Sequence, residues 1–226
     1  MKLRRHYLVE ITNQGRLEAY QNLGSDYTSA RSKLIEALIM NERIPGILRR
    51  AEEGYRKQGT VAVGFSSPQR YGKGQSRLRV PAFVPREEIT KITSSYQVLM
   101  LPISGRTPCL NALQEAKELA AELNIELGAW GSAGLEVYTG LPYTDHNSDL
   151  DLLVRGQNLQ AIEQFYFSLK QLGEKYNCRL DPELDLPNGY GVKLSEFFMH
   201  TTELLGKSMK GVGLIPKQVI VDMFKN

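Results

Sequence analysis

The chain has 226 residues, 42% of them hydrophobic and 23% charged, with a net charge of +3. That size suits one large or two small domains with a proper core, and no uninterrupted apolar run is long enough to span a bilayer. Cys109 and Cys178 are the only cysteines, and the basic start Met1-Lys2-Leu3-Arg4-Arg5-His6 has no apolar stretch behind it to make a secretory signal, so the reading is a cytoplasmic protein with reduced thiols. The small net charge hides an asymmetry. Residues 1–100 hold 17 Lys+Arg against 9 Asp+Glu, and residues 101–226 hold 11 against 16. A basic front and an acidic rear suit an anionic substrate.

In chain order, Leu34, Ile35, Leu38 and Ile39 recur at helical spacing within 29–40. Pro45-Gly46 breaks that pattern, and 47–55 is expected to be a second helix. Residues 60–65 and 78–84 read as strands, the latter an edge or broken strand because of Pro81. Between them, 66–77 reads as a long polar loop whose Arg70, Lys73 and Arg77 could contact phosphates. Residues 85–102 read as a connector. The expected division is therefore a basic α+β domain over 1–92 and a catalytic domain over 93–226.

The rear part alternates more regularly. Thr107-Pro108 suits a capped helix start, followed by a buried stripe of Leu110, Leu113, Ala116, Leu119, Ala120 and Leu123. A strand over 125–130 ends at Gly131-Ser132, a short helix follows, and Thr139-Gly140-Leu141-Pro142 turns the chain. Ser148-Asp149-Leu150-Asp151-Leu152-Leu153-Val154 then reads as a strand with Asp149 and Asp151 on one face. A helix over 159–172, a strand over 178–186, a turn at Pro187-Asn188-Gly189 and a partner strand over 191–194 complete the pattern, with His200 placed in a further apolar helix.

Two carboxylates aimed at one point repel each other, and a divalent cation is the usual relief. Magnesium commonly takes one or two carboxylates together with phosphate oxygens. Asp149 and Asp151 are thus candidate magnesium ligands and catalytic residues. Asp181 is the preferred third carboxylate, with Glu183 close behind, because Asp181, Glu183 and Asp185 alternate onto one face. Gly131 would let the backbone approach a phosphate, and Ser132 with the following helix amides could bind its oxygens. Lys193, on the partner strand, could contact phosphate or balance the acidic strand. An Asp-x-Asp pair alone is more often a loop-edge pair or a helix cap than a functional site. A calcium loop beginning at Asp145 fails, since its sixth position is Leu150 and its twelfth is Gly156. His6 and His146 read as structural, and the basic front carries no nucleic-acid motif.

The order of elements, with Gly-Ser, Asp-x-Asp and a later acidic strand, resembles the polymerase-beta-like nucleotidyltransferases. Trp130-Gly131-Ser132, Thr139-Gly140-Leu141-Pro142-Tyr143 and Ser148-Asp149-Leu150-Asp151-Leu152-Leu153 further resemble the malonate decarboxylase holo-acyl-carrier-protein synthase family, the phosphoribosyl-dephospho-CoA transferases. The chain departs from that family at Leu135-Glu136, where Trp-Gln is favoured, and at Pro182, where Gly is favoured. The resemblance implies an α+β fold: a nucleotidyltransferase-like mixed sheet flanked by helices, behind a smaller mixed N-terminal domain. It implies a magnesium-dependent transferase that moves a phosphoribosyl-dephospho-CoA group from triphosphoribosyl-dephospho-CoA to a serine of the malonate decarboxylase acyl-carrier subunit, releasing pyrophosphate. The alternatives are a superfamily member using an ordinary nucleoside triphosphate, and a non-catalytic relative that binds nucleotide or carrier.

Overall fold

The computed structural model describes residues 3–23, 29–51, 58–72 and 76–225. The chain divides into two compact units, 1–94 and 95–226. No helix among the described residues is long and apolar enough to cross a membrane.

The first unit contains β1 (Leu8–Ile11), α1 (Asn13–Gln21), α2 (Ser29–Ile39), β2 (Gly46–Leu48), β3 (Thr60–Tyr71), β4 (Ser76–Pro85), a 3-10 turn (Arg86–Glu88) and β5 (Ile89–Thr93). Its five strands form an antiparallel sheet in the order β4-β3-β2-β1-β5. Three expectations need correction here. The helix expected over 47–55 is instead the short strand β2 as far as Leu48, and 52–57 lie outside the described residues. The polar segment 66–77 is mostly strand: β3 and β4 form a long hairpin with a bulge between Ser66 and Arg70. Ser67 stitches that bulge, its hydroxyl donating to the Gln69 carbonyl at 2.6 Å and accepting from the Leu78 amide at 3.1 Å. The connector expected over 85–102 contains β5 and, in the second unit, the helix α3 (Ser95–Val98). Pro81 does lie on an edge strand, where proline is tolerated.

One buried cation ties this unit together. Arg16 of α1 is 1% exposed, and its guanidinium donates to the carbonyls of Ile11 at 3.2 Å, Ile39 at 2.6 Å and Ile44 at 2.9 Å. Those carbonyls lie at the end of β1, at the end of α2 and in the turn before β2, so one side chain caps three segments.

The second unit continues with α4 (Pro108–Glu122), β6 (Glu126–Trp130), α5 (Gly131–Thr139), β7 (Leu150–Arg155), α6 (Leu159–Tyr176), β8 (Leu180–Asp185), β9 (Gly191–Lys193), α7 (Leu194–Phe197), β10 (Glu203–Lys207), β11 (Val212–Pro216) and α8 (Lys217–Asp222). Its six-stranded sheet runs β11-β10-β9-β8-β7-β6. The pair β7–β8, joined through α6, is parallel, and its other pairs are antiparallel. This is the expected mixed α+β architecture. The core packs Leu110, Leu113 and Ala116 of α4 and Ile162, Phe165 and Leu169 of α6 with Leu150, Leu152 and Val154 of β7. Both helices carry their apolar residues at three- and four-residue intervals, and β7 presents every second residue. That alternation puts the intervening residues, Asp151 among them, on the opposite face of the sheet. His200 follows α7 in an exposed turn rather than an apolar helix.

Candidate active site

The carboxylates gather at one end of the parallel pair. Asp151 is the second residue of β7, and the register sets it beside Asp181 of β8 and Trp130 of β6. Asp149 precedes the strand rather than lying in it, and its side chain is 46% exposed. Glu183 lies two residues further along β8, opposite Lys193 of β9. Glu183 is only 4% exposed, whereas the Asp181 side chain is 21% exposed. Asp185, the last member of that alternating series, has a different occupation. Its Oδ2 accepts from the Tyr96 hydroxyl at 2.9 Å and from Arg155 Nη2 at 2.7 Å, with the Arg155 guanidinium over the Tyr96 ring.

Two cations already balance part of this charge. Lys193 Nζ donates to both oxygens of Asp181, at 2.9 and 2.7 Å. Arg179 Nη2 lies 3.4 Å from Asp149 Oδ2 and 3.9 Å from Asp181 Oδ2. The residual imbalance falls on Asp151. Burial, reinforced by the charges of Asp181, Asp149 and Glu183, pushes its carboxyl up to about 7, and Arg179 opposes this only in part. Sequence reasoning placed Lys193 here and missed Arg179. The signal was available, since alternation from Asp181 puts Arg179 on the same side.

Gly131 opens α5 with φ +63°, a left-handed conformation that favours glycine. A Cβ at this position would run into the Asp151 carboxylate, so glycine is required both by the backbone and by the close approach. Trp130, before it, supplies no side-chain cap, and Ser132 is partly exposed in the first turn. The amino end of α5 thus meets Asp151 at the end of β6.

A second polar cluster fixes the loop that carries Asp149. Glu136 of α5 is buried. It accepts from Arg106 Nε at 2.8 Å and Nη2 at 2.9 Å, and from the amide and hydroxyl of Thr144 at 2.6 and 2.7 Å. Burial alone would raise its pKa, but these bonds outweigh burial and hold the carboxyl below its ordinary value. Thr107 was expected to cap α4 with its side chain. Its hydroxyl instead meets that of Thr144 at 2.8 Å. Just before β7, the Ser148 hydroxyl accepts from the Asp145 amide at 2.9 Å and closes the turn. The signal for this cluster was a lone carboxylate among Ala133, Gly134, Leu135 and Val137.

The structure therefore brings together Asp149, Asp151, Asp181, Glu183, Lys193, Gly131 and Ser132 in the second unit. Arg70 and Arg77 lie on the β3–β4 hairpin of the first unit, and Lys73 lies outside the described residues. Arg70 is exposed. The Arg77 guanidinium donates to the carbonyls of Ser67 and Pro68 in its own hairpin.

The donor set suits a hard cation, being carboxylate oxygen throughout. Among the described residues, no three His, Cys, Asp or Glu side chains are placed to hold a metal ion together. Magnesium does not need three such ligands: it retains waters and shares its shell with substrate phosphates. Asp149 and Asp151 suit that arrangement by their chemistry, and Asp181, both of whose oxygens are held by Lys193, would have to share them.

Residues 99–218 match the C-terminal domain, and residues 4–95 the N-terminal domain, of the phosphoribosyl-dephospho-CoA transferase MdcG. The chain belongs to this family. Among its relatives is the phosphoribosyl-dephospho-CoA transferase of Pseudomonas fluorescens, 30% identical over 76% of this chain and 77% of that protein. The enzyme of that name from Xanthomonas campestris is 29% identical, over 78% of this chain and 80% of that protein. The one from Bradyrhizobium diazoefficiens is 26% identical over 96% of this chain and 92% of that protein. No solved structure matches the chain.

Proposed function

We propose that this chain transfers the phosphoribosyl-dephospho-CoA group from triphosphoribosyl-dephospho-CoA to a serine of the malonate decarboxylase acyl-carrier subunit. The observation that carries the reading is the Asp149–Asp151–Asp181 edge, packed against the glycine that opens α5, in a chain of this transferase family. In the reaction, the serine oxygen forms a bond to the α phosphorus of the donor. The bond from that phosphorus to the pyrophosphate oxygen breaks, and the hydroxyl proton is released.

Asp149 and Asp151 would hold magnesium, with Asp181 as third ligand and Glu183 behind it. When bound, the metal supplies charge neutralisation at the phosphorus and the leaving pyrophosphate. The chain's own groups do the rest. Gly131 leaves room for the Asp151 carboxylate. Ser132 and the first amides of α5 are donors for phosphate oxygens. Lys193 and Arg179 orient the carboxylates and offer positive charge to the departing pyrophosphate.

The test is mass spectrometry of the apo acyl-carrier subunit after incubation with donor, magnesium and enzyme. One added prosthetic group is expected. Asp149→Ala and Asp151→Ala should each slow its appearance on the order of 100-fold or more. Unchanged rates in both variants would overturn the mechanism. Turnover of ATP or CTP that ignores the carrier subunit would instead favour transfer of an ordinary nucleotide.

A further inference from the structure

A cleft of about 550 Å³ opens in the second unit between the C-terminal half of α6, the chain entering β8, and α7. That is the size range of a small-molecule site. Leu169, Leu180 and Pro182 give it an apolar floor and Tyr166 an aromatic wall. Lys170 and Arg179 bring positive charge to it, and Glu174 is the one acid in its lining. An apolar and aromatic body carrying an anionic group is the ligand chemistry that such a lining complements.

The placement of Arg179 narrows the choice. The same side chain lines the cleft and lies 3.4 Å from Asp149. Arg179 thus stands at the strand end between the cleft, on the α6 face of the sheet, and the carboxylates, on the other face, so a long donor can reach from one to the other around it. We infer that this cleft seats the dephospho-CoA portion of the donor, with its diphosphate toward Lys170 and Arg179 and its apolar parts over Leu169, Leu180 and Tyr166. The inference rests on the function proposed above. The occupant follows from the composition of that donor: a triphosphate to be cleaved, joined to an adenosine, a diphosphate and a long, largely uncharged arm. The carboxylate edge accounts for the first part and leaves the rest to be housed nearby.

The experiment is calorimetric titration of the full chain with dephospho-CoA itself, alongside the transfer assay. Wild type should bind dephospho-CoA. Lys170→Glu, at an exposed position, should weaken binding about tenfold or more, the loss of one charge-assisted contact. Ser195→Trp, which fills the cleft from α7, should do the same, and thermal melts check that both variants fold. Asp149→Asn should still bind dephospho-CoA while losing transfer. If both cleft variants bind dephospho-CoA as wild type does, the inference falls and the proposed function stands. A rise in KM for the carrier subunit, with dephospho-CoA binding unchanged, makes the cleft a carrier surface and also overturns the inference. Failure of wild type to bind dephospho-CoA, together with no transfer, overturns the proposed function itself.

Discussion

Asp151 shows how much one side chain's surroundings can decide. Its carboxyl is lifted from 3.8 to about 7, first by burial and then by the neighbouring carboxylates. Between about pH 4 and pH 7 the folded chain therefore holds a proton that the unfolded chain has released. Stability falls as pH rises through that window and stays at its reduced level above it. Asp151→Asn removes the effect. In thermal melts with a chelator present, the variant should exceed wild type in Tm by a few degrees at pH 8, and the gap should close toward pH 4. A gap independent of pH would contradict the raised carboxyl. Alternation along β7 made Asp151 legible, whereas Asp149, read as its partner on the same strand, lies just before the strand begins. The sequence left Asp181 and Glu183 open because exposure and the β7–β8 register, neither written in a local pattern, set their different depths.

At the scale of elements, α5 and the loop into β7 work as one piece. Arg106, Glu136, Thr144 and Thr107 join the start of α4, the middle of α5 and the approach to Asp149. Glu136→Gln keeps the shape but replaces a charged acceptor that Arg106 holds with both its Nε and Nη2. The expected cost is about 2 kcal/mol, read as a lower denaturant midpoint at unchanged slope, and transfer activity should drop with it because the Asp149 loop loses its anchor. Equal stability of variant and wild type would show that the cluster fixes nothing. Helices α4 and α6 were legible from their apolar stripes, and β6 and β7 from short apolar runs bounded by turns. Strand β2 was not, since three residues carry no period. The outer part of the β3–β4 hairpin looked like loop because a bulge and an exposed edge tolerate polar residues there. Arg16 was invisible for another reason: nothing local distinguishes an arginine bound by three distant carbonyls from a solvated one.

Across the whole molecule, sequence halves of opposite charge correspond to a basic antiparallel unit and an acidic mixed-sheet unit, each with its own core. The acidic unit meets its repulsion from within, since Lys193 grips Asp181 and Arg179 spans Asp149 and Asp181. Tethered ammonium and guanidinium groups thus serve as permanent counter-ions at the carboxylate edge. A protein arranged in this way does not depend on magnesium for its architecture, in contrast to small domains that unfold when stripped of zinc. EDTA should abolish prosthetic-group transfer yet leave the circular dichroism spectrum unchanged and shift the melting curve by no more than a few degrees, with activity returning on adding magnesium. Collapse of the fold on chelation would show that those two side chains do not supply enough charge. If they do, and if transfer needs magnesium as proposed, newly made polypeptide can reach its final shape in a metal-starved cell and wait, intact and silent, for the ion.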